Sequence, residues 1–128
     1  MVLQSPWSHE DRFADDPRSA SKARAFVREH LIAHGLDTLV DDVGLVVSEL
    51  ATNAVRHAGT PFTVFLTGAR NSVEVGVEDG SSGIPEQVRS GPLDLGGRGL
   101  DIVDQVSRDW GVRAQKGTKA VWARFDVP

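Results

Sequence analysis

A chain of 128 residues with 40% hydrophobic and 25% charged residues has the makeup of one ordinary globular domain. Its formal charge of −4 provides no positive field for a phosphate backbone, which argues against nucleic acid as a direct partner. Cysteine is absent, so disulfides, thiolate nucleophiles and thiolate-bound metals are excluded. The opening MVLQSPWSHEDRF has neither the basic nor the apolar part of a secretory leader, and no apolar run reaches the length of a bilayer span. A cytoplasmic protein without membrane contact is expected.

Residues 1–18 are polar and reach a turn at Asp15-Asp16-Pro17, leaving room for one edge strand around Ser8 to Phe13. Residues 19–128 are expected to form the single domain proper. From Ser19 to His34 the apolar positions Ala20, Ala23, Phe26, Val27 and Leu31 recur at helical spacing, and Gly35 stands where a C-terminal cap belongs. The spacing predicts a second, longer helix from an N-cap at Asp37 to Gly59, with Pro61 as its stop. Phe62 to Gly68 and Ser72 to Glu78 alternate with the period of strands and are joined by a short turn, as in a hairpin. The stretch from Asp79 to Gly97 is rich in glycine, contains Pro85 and Pro92, and is long for a connection in a small domain, which is common in functional lids. A third helix is expected from Gly99, then strands at Trp110 to Ala114 and Ala120 to Phe125 around a turn at Gly117.

Short turns between neighbouring strands imply antiparallel pairing, and the helices must cover one face of the sheet. The expected class is therefore α+β: a two-layer α/β sandwich with a mixed, mostly antiparallel sheet and about three helices on one side.

On the second helix, Val43, Val46, Val47, Leu50 and Ala54 occupy one arc of about 100° that must face the sheet. Glu49 and Asn53 lie just off its edge, one helical turn apart, and His57 falls nearer the centre of the arc. A carboxylate and an amide oxygen held side by side on a rigid helix can orient a hydroxyl and ligate a hard cation such as magnesium. On a helix taken alone, such residues are more often a solvated or hydrogen-bonded fringe.

Two further segments bear on that choice. Asp79 ends a strand and is followed by Gly80 and Gly83; a fixed carboxylate there can accept from an exocyclic amine, and the glycines let a flat ring approach. Leu95-Gly-Gly-Arg-Gly-Leu-Asp-Ile-Val leads glycines directly into a helix whose first N–H groups lack partners, an arrangement suited to anions.

In this order the segments resemble the GHKL, or Bergerat-fold, ATPases. Glu49-Leu-Ala-Thr-Asn53-Ala-Val-Arg-His57 is similar to the family's N-box, Asp79 to Pro85 to its adenine-binding box, Gly97-Arg-Gly-Leu-Asp-Ile-Val to its second glycine box, and Gly117-Thr118 to its last motif. The branch most resembled is that of the anti-sigma-factor serine/threonine kinases and their actinobacterial relatives. The resemblance implies ATP and Mg2+ as cofactors, with Glu49 as the catalytic residue, Asn53 as the metal ligand, and His57 near the phosphates. It implies Asp79, Gly83 and Thr118 around the adenine, and Gly97, Arg98, Gly99 and Leu100 on the phosphates. It further implies a sigma factor and a STAS-domain antagonist as partners, and a homodimer. The adenine box departs from the family pattern, with glycine at Gly80 and serine at Ser81, and Arg89 is the single cation between Ser82 and Gly96. Two functions follow: a protein serine/threonine kinase acting on the antagonist, or a regulatory module that binds nucleotide without catalysis. Trp7 and Phe13, in the first strand, are the first candidates for a protein contact.

Overall fold

The computed structural model describes residues 6–80, 99–115 and 117–128. In chain order these form β1 (Trp7–Phe13), α1 (Ser19–Ala33), a 3-10 turn (Asp37–Leu39), α2 (Val40–His57), β2 (Phe62–Gly68), β3 (Ser72–Asp79), α3 (Gly99–Val106), β4 (Asp109–Gln115) and β5 (Thr118–Asp126). The strands form one sheet in the order β1-β2-β3-β5-β4, and all four pairings are antiparallel. The α+β sandwich expected from the sequence is the observed fold, with three α-helices among the described residues and a sheet that is antiparallel throughout its described strands.

Helix α1 closes as the glycine at position 35 requires. Gly35 has φ +74°, its N–H donates to the Ile32 carbonyl at 3.0 Å, and the Leu36 N–H donates back to the Leu31 carbonyl at 2.8 Å. The entry to α2 differs from expectation: Asp37 lies in the 3-10 turn and makes no side-chain cap, so the α-helix proper begins at Val40. Without a side-chain acceptor, the orphan N–H groups are met by a tightened turn instead of a cap.

The core forms where α1 and α2 press on one face of the sheet. Val43, Val46, Val47, Leu50 and Ala54 are buried, as the helical arc requires, and meet Phe62, Val64, Leu66, Val73, Val75 and Val77 from β2 and β3. Leu100 and Val103 bring α3 into the same cluster. His57 departs from its place on the arc: Ala54 is the last buried residue of α2, and Arg56 and His57 in the final turn are exposed because the helix runs beyond the core.

Strand β1 lies against α1 through its rings. Trp7 stacks on His34 with centroids 3.8 Å apart, His9 stacks on His30 at 3.9 Å, and Phe13 lies 5.7 Å from Phe62. Trp7 and Phe13 thus pack against the core while remaining partly exposed.

The second face of the sheet carries Phe65, Glu74, Trp122, Arg113 and Arg124. Both guanidinium groups lie over the Trp122 ring, at 4.8 and 4.9 Å from its centroid, and both bind Glu74. No helix among the described residues is long and apolar enough to cross a membrane.

Candidate functional site

Sheet register brings the chemistry to one end of the molecule. Phe13, Phe62, Asp79 and Lys119 form a row across four strands, paired as Phe13↔Phe62, Phe62↔Asp79 and Asp79↔Lys119. Helix α2 runs towards this end and is joined to β2 by a short connection at Ala58–Pro61. Asn53 lies one turn before the end of α2 and Glu49 two turns before it, both half-buried at the border of the core. Thr52, between them in sequence, turns its hydroxyl back to the Ser48 carbonyl at 2.7 Å and does not share their direction.

Asp79 is 4% exposed, and its Oδ2 lies 3.4 Å from Nζ of Lys119, which is 8% exposed. The end of β3 is fastened to the α2–β2 connection, where the Gly80 N–H donates to Oγ1 of Thr60 at 3.3 Å. Helix α3 begins at Gly99, with the Leu100 side chain buried in the core, so the chain following the glycine run is anchored from its second helical residue.

Thr118 is not the ladder partner of Asp79. In a strand, neighbours face opposite sides; since Lys119 lies across from Asp79 on the helix-covered face, Thr118 faces the other side, with Glu78 and Thr63. It nevertheless borders a cleft of about 190 Å3 together with Asp79, Arg12, Thr60 and Gly80. The cleft is smaller than sites that enclose ligands of nucleotide size. The residue that register places beside Asp79 is Lys119, which sequence reading missed. The signal available was a lysine inside an otherwise apolar alternation, Lys119-Ala-Val-Trp-Ala.

The ladder brings Asp79 and Lys119 together, while Glu49 and Asn53 lie two turns and one turn before the end of α2 that leads to the same row, and Leu100 at the start of α3 is buried in the same core. His57 stands on the exposed last turn of α2. Gly83, Gly97 and Arg98 lie outside the described residues.

Comparison with known proteins shows the family and the fold. The histidine kinase-like ATPase domain matches residues 13–125. Among solved structures, the RsbU and RsbW domains of Rv1364c from Mycobacterium tuberculosis superpose with a TM-score of 0.71 at 19% sequence identity. That match covers 98% of this chain and 34% of the other, so the chain spans about a third of the larger protein and shares its fold over that part. No curated protein matches the sequence. With the family match extending from the end of β1 to β5, the GHKL resemblance of the sequence is borne out: the chain belongs to the histidine kinase-like ATPase domain family.

Proposed function

We propose that the chain binds Mg-ATP at the end of the sheet marked by Asp79 and transfers its γ-phosphate to a serine or threonine of a STAS-type antagonist protein, thereby controlling a sigma factor. The observation that carries this reading is the placement of the Glu49–Asn53 pair, one and two turns from the end of α2 that leads to the Asp79 row. Asp79 would accept from the adenine amino group, with Gly83 beside the ring, and the N–H groups of Gly97, Arg98, Gly99 and Leu100 would receive the phosphates. His57 would lie towards the phosphate end.

The donor set fits magnesium. Among the described residues no three His, Asp or Glu side chains converge on a metal site, so the protein offers the Asn53 amide oxygen and the remaining ligands come from phosphate and water. That is the usual manner of Mg2+, which keeps several waters and takes few protein ligands. When bound, the ion would neutralise phosphate charge. Glu49 would accept the proton of the attacking hydroxyl as the oxygen–phosphorus bond forms and the bond to the β-phosphate bridging oxygen breaks. A homodimer in the cytoplasm, partnered by the sigma factor and the antagonist, completes the proposal.

A second reading has its own observation. Ser81 stands where the family pattern has glycine, and Arg89 is the single cation from Ser82 to Gly96, which favours a module that binds nucleotide as a structural ligand and acts through protein contacts. Calorimetry with ATP and Mg2+ tests the binding common to both: heat of binding is expected for the wild type and at least a tenfold weaker affinity for Asn53→Ala. Absence of binding by the wild type would overturn both readings. Radiolabel transfer to a STAS-domain protein then separates them, since the binding module transfers none.

A further inference from the structure

Three of the chain's four histidines, His9, His30 and His34, meet where β1 lies on the last turn of α1. Two of them are held flat by other rings: His9 stacks on His30 at 3.9 Å and 18°, and His34 on Trp7 at 3.8 Å and 9°. The stacks fix the ring planes, and His9 and His34 turn their edges to each other with Nε2 atoms 2.9 Å apart. Without a metal this contact is a hydrogen bond, one ring donating and the other accepting. The same separation is also the edge of a square coordination plane. Imidazole nitrogens bound to a metal at about 2.0–2.1 Å and at a right angle lie about 2.9 Å apart, whereas a tetrahedral ion spreads them to about 3.3–3.4 Å. The surroundings suit a cation: His34 is the C-cap of α1 and His30 is in its last turn, at the negative end of the helix dipole.

The geometry points to a two-histidine site for a divalent transition metal of tetragonal preference, Cu2+ or Ni2+, held by Nε2 of His9 and Nε2 of His34. Among the described residues no three His, Asp or Glu side chains converge on one point, so the protein supplies two ligands and water the rest. His30 presents its face to His9 and serves as the wall that orients it. On binding, the ring that donated through Nε2 shifts that proton to Nδ1, and both rings then bind the ion as neutral imidazoles. The ion would tie β1 to α1. The site lies apart from the Asp79 row, since His9 precedes Phe13 by four residues on β1, and it does not rest on the ATP-binding reading.

The metal alone is the probe. Titrated by calorimetry with CuCl2 or NiCl2 and no nucleotide, the wild type should take up one ion per chain. An excess of Mg2+, which prefers oxygen ligands, should leave that uptake unchanged. His9→Phe and His34→Phe each keep a flat ring in the stack and remove one ligand. Each should bind at least about tenfold more weakly, the loss that even a partner outside the ligand shell brings. His30→Phe preserves the wall and should bind as the wild type does. Ni2+ should raise the thermal unfolding midpoint of the wild type and of His30→Phe, and leave that of the two ligand variants in place. A second measurement needs no variant: substoichiometric Cu2+ should broaden the ring signals of His9 and His34 and leave sharp those of His57, on the exposed last turn of α2. No saturable uptake by the wild type, undiminished uptake in both ligand variants, or broadening of His57 first would overturn the inference. An equal loss in His30→Phe would overturn the assignment of the ligand pair, and tighter binding of Zn2+ than of Ni2+ would overturn the square arrangement. None of these outcomes bears on ATP binding, which is measured separately.

Discussion

Nε2 of His9 lies 2.9 Å from Nε2 of His34, a contact across β1 and α1 in which one ring must donate and the other accept. Two protonated rings could only donate, so acid breaks the contact and sets like charges against each other.

His9 is held below the usual histidine value, first by burial and then by the charges of His30 and His34. The neighbours Trp7 and Leu66 carry no charge; Glu10 adjoins His9 on β1, Asp11 lies two residues along the same face, and Glu29 precedes His30 on α1. Because the folded protein binds this proton less readily than the unfolded chain, the contribution to stability is fully present above about pH 6.5 and is lost as pH falls through the lower folded value. Thermal unfolding should therefore show a midpoint that drops between pH 7.5 and 5.5, a window above the titration of ordinary carboxylates. His9→Phe keeps a flat ring against His30 and should flatten that slope; parallel slopes for the two proteins would refute the assignment.

The aromatic end of the core gives a prediction of stability alone. Phe62 is wholly buried, stacks on Phe13 at 5.7 Å, and is the ladder partner of Asp79. Phe62→Ala should cost about 3–5 kcal/mol through lost burial and the cavity left behind. Urea unfolding measures it, and a loss below about 1 kcal/mol would mean that neighbouring side chains close the gap.

Much of this architecture is legible in the sequence because it rests on local periodicity. The arc of valines on α2, the alternation in β2 and β3 and the cap at Gly35 are each determined within a few residues, and each lies where expected. What was not legible depends on register between segments distant in the chain. Lys119 and Asp79 are neighbours because β5 inserts beside β3, and a shift of one residue in that pairing would have set Thr118 there instead. The strand glycines were opaque for the same reason: Gly68, Gly76 and Gly111 each lie opposite an aromatic ring, Trp7, Phe65 and Trp122, whose partners appear only once the strands are paired. His57 was misplaced because a helical wheel has no knowledge of where the sheet ends.

Those ring-over-glycine pairs can be tested. A Cβ at Gly76 would collide with the ring of Phe65 on the adjacent strand. Gly76→Ala should thus destabilise by about 1–3 kcal/mol, as overpacking does, although alanine is otherwise acceptable in a strand. In a Phe65→Ala background the collision is gone, and the same change should be nearly neutral. A double-mutant cycle reads the coupling directly, and additive costs would show that Gly76 is required for some other reason.

The division of labour on α2 is the prediction on which the proposed kinase activity depends. Glu49 and Asn53 lie one turn apart on a helix whose buried side fixes both, so exchanging either polar group should leave the fold unchanged. If Glu49 accepts the proton of the attacking hydroxyl, Glu49→Gln keeps the shape but removes the base. Phosphoryl transfer to a STAS-domain protein should fall about 10²–10⁴-fold, with ATP affinity altered by less than about threefold. Asn53→Ala should show the opposite pattern in its first effect, a loss of Mg2+-dependent affinity that appears in binding before any turnover is measured. Undiminished transfer by Glu49→Gln would remove Glu49 from the chemistry. A common loss of affinity in both variants would make the pair a single binding element, with the base to be sought elsewhere.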